Sequence, residues 1–275
     1  MLVREKRMVQ DSPMSRRQKS LLSLVLTLGG TVVVSHGTVS PPASAHPGGK
    51  ASEAPSAAPA PSASASVPAR SLGALSFQGG EAAYYAPAED GPRPVTIFLH
   101  GMCATGRLEC PVFSAASRSG WLLCPDGNVG CQGGGWMWAA TAKEAEARLQ
   151  AATDALRAKE AGRVGAGPMA IVGYSLGAPA ALLQAIREPG RYDRLMIVNA
   201  SVEPAAATMK KAGLKRVALV AGTKDATASK LRAAAQRLVA AGVDARYFAL
   251  EGTGHYFDEQ SEARMTEPLG WLLGP

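Results

Sequence analysis

The stretch AIVGYSLGAPAAL, residues 170–182, places Ser175 where one apolar run ends and another with a different periodicity begins. The residues before Ser175 are almost continuously apolar, which is typical of a buried parallel strand. After Ser175, apolar residues recur at three- and four-residue intervals, as in a helix. Gly173 and Gly177 flank the serine, and glycines permit a sharp turn with close helix–strand packing. A serine gains little from packing at such a turn, so it either caps the helix or takes part in chemistry.

The chain around this turn alternates predicted strands with predicted helices. Strands are predicted at 94–100, 121–126, 169–174, 194–200, 216–222 and 245–250, and helices at 141–162, 176–189 and 227–242. An antiparallel hairpin at 74–88 is expected at the edge of the sheet. Strands that alternate with helices indicate right-handed crossovers and therefore an α/β fold, with a mostly parallel central sheet and helices on both faces.

Three residues of catalytic type follow three of these strands, in the chain order Ser175, Asp225, His255. Because functional sites of such sheets lie beyond the carboxyl ends of the strands, we expect the three side chains to converge there. A serine hydroxyl becomes an effective nucleophile when a base removes its proton, and an imidazole oriented by a carboxylate is such a base. We therefore predict that Ser175 is the nucleophile, His255 the base and Asp225 the residue that orients the imidazole.

Alternatives to these assignments remain open at this point. Four other carboxylates compete with Asp225: Asp193, Asp244, Glu203 and Glu251. Asp193 belongs to a polar loop before a strand, and Glu251 lies only four residues before His255. Among the other histidines, His100 is expected to brace the loop that follows it, and the remaining two lie in the N-terminal segment. The non-catalytic interpretation of Ser175 is a helix cap.

These motifs resemble the α/β-hydrolase superfamily over residues 71–275. GYSLG (173–177) matches the G-x-S-x-G nucleophile motif, LHG (99–101) matches the oxyanion-loop motif, and an acid and a histidine follow in the family's order. The resemblance implies an α/β-hydrolase fold in which the backbone N–H groups of Met102 and Leu176 bind the oxyanion. It implies neither a cofactor nor a metal. The segment between the strands at 194–200 and 216–222 is too short for a large cap domain.

The substrate is less well defined by the sequence. The pattern LHGMC…WLLCPDG…C…GWMW is also similar to secreted polyhydroxybutyrate-depolymerase-like and feruloyl-esterase-like enzymes. This similarity implies a secreted serine carboxylesterase that acts on a small-molecule or polymeric ester through an acyl-enzyme. Trp136, Trp138 and Tyr174 are candidate substrate-binding residues, although the tryptophans could instead pack under the helix at 141–162. A secreted serine peptidase of the same fold is the alternative, and a non-catalytic surface-binding protein is the third possibility.

The N-terminal segment, residues 1–45, is predicted to be an export signal. It holds four of the chain's seven net positive charges, including the basic stretch MSRRQKS that begins at Met14, a possible alternative start. An apolar run at 21–34 and the small residues ASA (43–45) complete the pattern. The run is short for a membrane span, so we expect a secreted or periplasmic protein without stable membrane insertion after cleavage. The export route, Sec or twin-arginine, stays open.

Residues 46–70 are rich in Ala, Ser and Pro and are predicted to be a disordered linker before the domain at 71–275. The charges beyond residue 45 are spread without a basic run, which argues against nucleic-acid binding.

Four cysteines lie in the predicted domain: Cys103, Cys110, Cys124 and Cys131. An even number of cysteines after an export signal predicts two disulfides. Three connectivities are possible, and the local pairing 103–110 with 124–131 is preferred. A zinc site is the alternative, but the six-residue spacings differ from the short ligand loops of such sites.

Overall fold

A computed structural model describes residues 71–138 and 141–275 of the 275-residue chain. The predicted export signal (1–45) and linker (46–70) lie outside the described residues, and both stay predictions. Among the described residues, no helix has the length and apolar character needed to cross a membrane.

Within this described part, eight strands form one mixed sheet in the order β1-β2-β4-β3-β7-β8-β9-β10. Their bounds are β1 Gly73–Phe77, β2 Gly80–Tyr85, β3 Val95–Leu99, β4 Trp121–Pro125, β7 Met169–Tyr174, β8 Tyr192–Val198, β9 Arg216–Gly222 and β10 Ala245–Leu250. The pairs β1/β2 and β2/β4 are antiparallel, and the remaining pairs are parallel. Two further strands, β5 Val129–Gly130 and β6 Trp136–Met137, form a separate short hairpin. The predicted parallel sheet and its antiparallel edge hairpin are confirmed.

Helices cover both faces of the sheet, as predicted. They are α1 Gly106–Glu109, a 3₁₀ helix Cys110–Arg118, α2 Ala142–Lys159, α3 Gly177–Arg187, α4 Ala206–Ala212, α5 Ala228–Ala240 and α6 Ser261–Leu273. Helices α2 to α5 contribute to the apolar core on one face, and the 3₁₀ helix and α6 contribute to the core on the other. Every residue of β3, β4 and β7 is buried, which explains their continuous apolar runs. Only the short helix α4 separates β8 from β9, so there is no large cap domain at that position.

Several elements differ from the prediction: α1, the 3₁₀ helix and the β5–β6 hairpin were not predicted, and β8 and the C-terminus differ as well. Strand β8 ends at Val198, two residues earlier than predicted, because Asn199 adopts a φ of 45° and leaves the extended conformation. Helix α6 was not predicted, and it contains Pro268, which normally indicates the end of a helix.

The two disulfides join Cys103 to Cys131 and Cys110 to Cys124, with Cα atoms 5.7 and 5.9 Å apart. The preferred local pairing was therefore wrong. Cys110 begins the 3₁₀ helix, which packs against the strand β4 that carries Cys124. Cys103 follows β3, and the β5–β6 hairpin returns beside it because the N–H of Trp136 donates to Ala104 O at 2.8 Å. The spatial order of the strands, rather than the spacing along the chain, decides the pairing.

Candidate active site

Ser175 occupies a sharp turn between β7 and α3. Its backbone φ of 50° lies in the left-handed region, which residues other than glycine rarely adopt. A Cβ atom on Gly173 would lie 2.5 Å from Ala178 Cα, and one on Gly177 would lie 2.1 Å from the carbonyl oxygen of Leu99. Both glycines are therefore required by space, since α3 begins in direct contact with the backbone of two strands. The turn holds the serine hydroxyl beyond the carboxyl end of β7.

The structure brings Ser175, His255 and Asp225 together in one hydrogen-bonded chain. Ser175 Oγ lies 3.0 Å from His255 Nε2, and His255 Nδ1 lies 2.6 Å from Asp225 Oδ2. The carboxylate side chain is 1% exposed, whereas that of the histidine is 39% exposed. The three residues follow β7, β10 and β9, whose carboxyl ends share one edge of the sheet.

Asp225 is held by Thr227 as well as by the histidine. Its Oδ1 accepts hydrogen bonds from Thr227 N at 2.6 Å and from Thr227 Oγ1 at 2.5 Å, so Oδ2 faces the imidazole. Burial alone would raise the pKa of Asp225, but the Thr227 hydrogen bonds and His255 outweigh it and lower that pKa. The carboxylate is therefore charged at neutral pH. The Asp225 carboxylate accepts a hydrogen bond from His255 Nδ1–H. The other ring nitrogen, Nε2, is then free to accept a hydrogen bond from the Ser175 hydroxyl.

The competing carboxylates lie elsewhere. Asp193 is the second residue of β8, not part of the loop before it as expected, and it is buried. It pairs with Arg194 at 3.0 Å and Lys215 at 3.2 Å. Asp244 pairs with Arg216 before β10. The side chains of Glu203 and Glu251 are exposed.

His100 connects the loop after β3 to the loop after β4. Its Nδ1 donates to Gly101 O at 2.8 Å, and its Nε2 accepts from the N–H of Gly127 at 2.9 Å. Burial lowers the pKa of His100 more than the Gly101 hydrogen bond and Asp126 raise it. The ring is thus neutral and fully buried, in agreement with the bracing role expected from the sequence.

The loop that contains Met102 is fixed on both sides. Before it, the N–H of Gly101 donates to Glu109 Oε2 at 2.9 Å. After it, Cys103 has a φ of 53° and is bound covalently to Cys131. Within residues 71–138 and 141–275, no hydrogen bond occupies the backbone N–H of either Met102 or Leu176. The oxyanion role expected of these two amides stays a prediction.

The candidate substrate-binding residues have different environments. Trp138 is 6% exposed and packs in the core beside His100, with ring centroids 5.4 Å apart. Trp136 is half-buried in β6, and Arg148 of α2 lies over its ring. Tyr174 is buried, and its hydroxyl donates to His255 O at 2.8 Å. Substrate contacts by the three residues stay predictions.

Two residues that complete the site were not singled out from the sequence: Thr227, which binds the acid, and Asn199, which is buried beside the histidine loop. Thr227 lies two residues after Asp225, the position whose backbone N–H commonly donates to an aspartate side chain in an Asx turn. Asn199 follows the end of a strand, as do Ser175 and His255, but it fell within the predicted strand at 194–200.

Known structures share this architecture. Esterase PE8 superposes with a TM-score of 0.53 at 20% identity, covering 69% of this chain and 97% of its own. An esterase from Pyrobaculum calidifontis gives 0.57 at 13% identity, with 75% and 85% covered, and a carboxylesterase from Bacillus subtilis gives 0.51 at 14%, with 75% and 92% covered. No family model matches the sequence, and no curated protein matches it either. The sheet order, the turn at Ser175 and these superpositions together show that the chain has the α/β-hydrolase fold.

Proposed function

We propose that residues 71–275 form a serine hydrolase that cleaves carboxylic esters through an acyl-enzyme. The observation that carries this proposal is the continuous chain from Ser175 Oγ through the His255 imidazole to the buried Asp225 carboxylate. A structural helix cap would need neither the imidazole nor the carboxylate. Solved proteins with the same fold include several named as esterases or carboxylesterases, which favours an ester as the substrate.

Acylation follows from the geometry. Ser175 Oγ attacks the ester carbonyl carbon, and its proton moves to His255 Nε2, 3.0 Å away. Asp225 stabilises the imidazolium that forms. As the tetrahedral intermediate collapses, the C–O bond to the alcohol breaks and Nε2 returns the proton to the departing oxygen. The acyl group remains on Oγ.

Deacylation repeats these steps with water in place of the alcohol. Nε2 takes a proton from the water as its oxygen bonds the acyl carbon, and then gives that proton to Ser175 Oγ. The carboxylic acid leaves and the free serine is restored. In both steps a negative oxygen develops, and the unpaired N–H groups of Met102 and Leu176 are the proposed donors to it.

The surroundings of Ser175 leave the site open to an incoming substrate. Because the connection from β8 to β9 contains only the short helix α4, it forms no cap over the carboxyl ends of the strands. Met102 and Tyr256 flank the site along the chain and are 65% and 81% exposed, so they offer apolar surface to an acyl or alcohol group. A small ester or the end of a polymeric ester is therefore the proposed substrate, and the proposed chemistry uses no cofactor.

The two disulfides support the proposal that the protein is exported, to the periplasm or outside the cell.

A fluorophosphonate probe and a panel of p-nitrophenyl esters of increasing acyl length test the proposal. We expect the wild-type protein to be labelled at Ser175 and to hydrolyse at least one ester. Ser175→Ala should lose labelling and about 10⁶-fold in kcat. Ser119→Ala is a matched control, because Ser119 lies in the turn before β4, away from the carboxyl ends of the strands.

Three outcomes would contradict the proposal in different ways. Faster cleavage of aminoacyl amides than of esters would indicate a peptidase. Absence of labelling in a folded protein with His255 intact would indicate a binding protein on a hydrolase scaffold. Wild-type turnover by Ser175→Ala would exclude Ser175 as the nucleophile.

A further inference from the structure

Asn199 lies between the strands that carry the nucleophile and the acid. It directly follows β8, whose neighbours in the sheet are β7, which leads to Ser175, and β9, which leads to Asp225. Its side chain is completely buried, and its φ of 45° places it in the left-handed region, which asparagine tolerates better than most residues. The backbone turns out of β8 at this point and directs the side chain toward the loop of His255.

The Asn199 amide makes three hydrogen bonds that connect two loops of the site. Its Nδ2 donates to His255 O at 2.8 Å and to Gly254 O at 3.2 Å. Its Oδ1 accepts from the N–H of Gly222 at 2.9 Å, at the end of β9. The partners determine the orientation of the amide, since carbonyls only accept and an N–H only donates. One side chain therefore binds the loop of the base and the strand end that leads to the acid.

The carbonyl oxygen of His255 receives a second buried donor. Tyr174 Oη donates to it at 2.8 Å, and the tyrosine ring packs against Phe257 with centroids 4.2 Å apart. Burial raises the pKa of Tyr174, so its hydroxyl keeps the proton that it donates. The two donors approach the backbone of His255 from residues that follow or end neighbouring strands, β8 and β7. The imidazole itself is 39% exposed, so its surroundings enclose it less than they enclose the acid.

We propose that Asn199 is a positioning residue, supported by Tyr174, that fixes the backbone of His255 so that the imidazole stays between Ser175 and Asp225. This inference rests on the proposed function for its effect on turnover. Asn199 touches no reacting atom in the described structure; its effect is on the orientation of the base. A displacement of about 1 Å at such a group can reduce the rate by roughly 100-fold.

Asn199→Gly tests the proposal directly, because glycine adopts the left-handed conformation without strain and removes all three hydrogen bonds. We expect kcat to fall roughly 10- to 100-fold with KM nearly unchanged. Labelling by a fluorophosphonate should slow by a similar factor. Hydrogen–deuterium exchange of residues 251–257 and of the Gly222 amide should become faster, while exchange in β8 and in the rest of β9 stays slow.

Asn199→Asp separates positioning from a purely structural role. The aspartate keeps an acceptor for the N–H of Gly222, but in place of the two donors it puts an oxygen against the carbonyls of Gly254 and His255. We therefore expect it to be as impaired in kcat as Asn199→Gly. Thr153→Val is the matched control, since it removes a buried hydroxyl that donates to Leu149 O at 2.7 Å within α2. It should lower the free energy of unfolding and leave kcat unchanged.

Wild-type kcat in Asn199→Asp would overturn the proposal, because the Gly222 contact alone would then suffice. Equal losses of kcat in Asn199→Gly and Thr153→Val would also overturn it. If Asn199→Gly does not fold, Tyr174→Phe removes one donor to the same carbonyl and must then slow labelling. If the wild-type protein is not labelled at all, the proposed function fails. Exchange at 251–257 then decides this inference, and an unchanged rate in the variants rejects it.

Discussion

Asp225 Oδ2 lies 2.6 Å from His255 Nδ1, and the carboxylate is almost completely removed from solvent. Thr227 occupies the other carboxylate oxygen with two hydrogen bonds, so the acid cannot rotate without losing both. The orientation of the imidazole thus depends on a carboxylate whose own orientation is fixed by a neighbour two residues along the chain.

Asp225→Asn should abolish most turnover and preserve the fold. The amide has nearly the same size, but it no longer compels Nδ1 to carry the proton, so Nε2 loses its role as acceptor. By analogy with the same change in serine proteases, we expect kcat to fall by about 10⁴-fold. The measurement is kcat on the best p-nitrophenyl ester.

Asp193→Asn is the matched control for that change. Asp193 is also a buried, ion-paired aspartate, but it lies at the start of β8. Its replacement should lower the free energy of unfolding and leave kcat near the wild-type value. Equal activity losses in the two variants would show that Asp225 acts only through stability.

His100 should make the protein less stable in mild acid. Because burial lowers the pKa of His100 in the folded state, only the unfolded chain takes up a proton as the pH falls through about 6.5, the ordinary histidine value. Stability therefore decreases with falling pH from that value down to the lower folded-state pKa.

Urea unfolding midpoints of the wild-type protein and of His100→Gln, measured above and below pH 6.5, test this prediction. The variant should be less stable at neutral pH, with a flatter pH dependence. Equal slopes in the two proteins would exclude His100 as the source.

Gly177→Ala should prevent the turn at Ser175 from forming. The added Cβ would lie 2.1 Å from Leu99 O and 2.6 Å from His100 O, both backbone atoms of a buried strand end. We expect a loss of at least about 3 kcal/mol in the free energy of unfolding, or insoluble protein. Gly167→Ala is the control, since a Cβ there meets nothing within 4 Å and should change stability by less than about 0.5 kcal/mol. Denaturant unfolding of both variants distinguishes them, and similar losses would contradict the steric explanation.

The two disulfides should differ in their effect on activity. Cys103 is exposed and adjoins Met102, whereas Cys110 and Cys124 are buried in the core. Double alanine variants of either pair should lose about 2–4 kcal/mol of unfolding free energy, because each cross-link constrains the unfolded chain. Only the variant that lacks Cys103–Cys131 should also lose kcat, by roughly 10-fold, because Met102, the proposed oxyanion donor, would be held less firmly. Complete loss of such a donor typically costs about 100-fold or more. Unchanged kcat in that variant would show that the loop holds its shape without the cross-link.

The sequence predicted the sheet well because its central strands are buried on both faces. Their continuous apolar runs leave a signal that depends on no other part of the chain, and β7, β9 and β10 begin and end where predicted. The convergence of Ser175, Asp225 and His255 could be anticipated for the same reason, since parallel strands end at a common edge.

Other features depend on contacts between distant segments. The pairing of Cys110 with Cys124 follows from the packing of the 3₁₀ helix on β4, which the spacing of the cysteines does not reveal. Helix α6 contains Pro268, and its formation depends on the core that it covers. Asn199 was missed because its left-handed backbone appears only once β8 has met β7 and β9.

The strand that leads to His255 has a further consequence for behaviour on heating. Strand β10 is the last in the sheet and, within the described residues, pairs with β9 on one side alone. Detaching an edge strand breaks one ladder of hydrogen bonds, so such strands open at lower free-energy cost than the centre of a sheet. Thermal inactivation should therefore begin below the calorimetric melting transition, and brief warming should be reversible on cooling as His255 returns to its position beside Ser175.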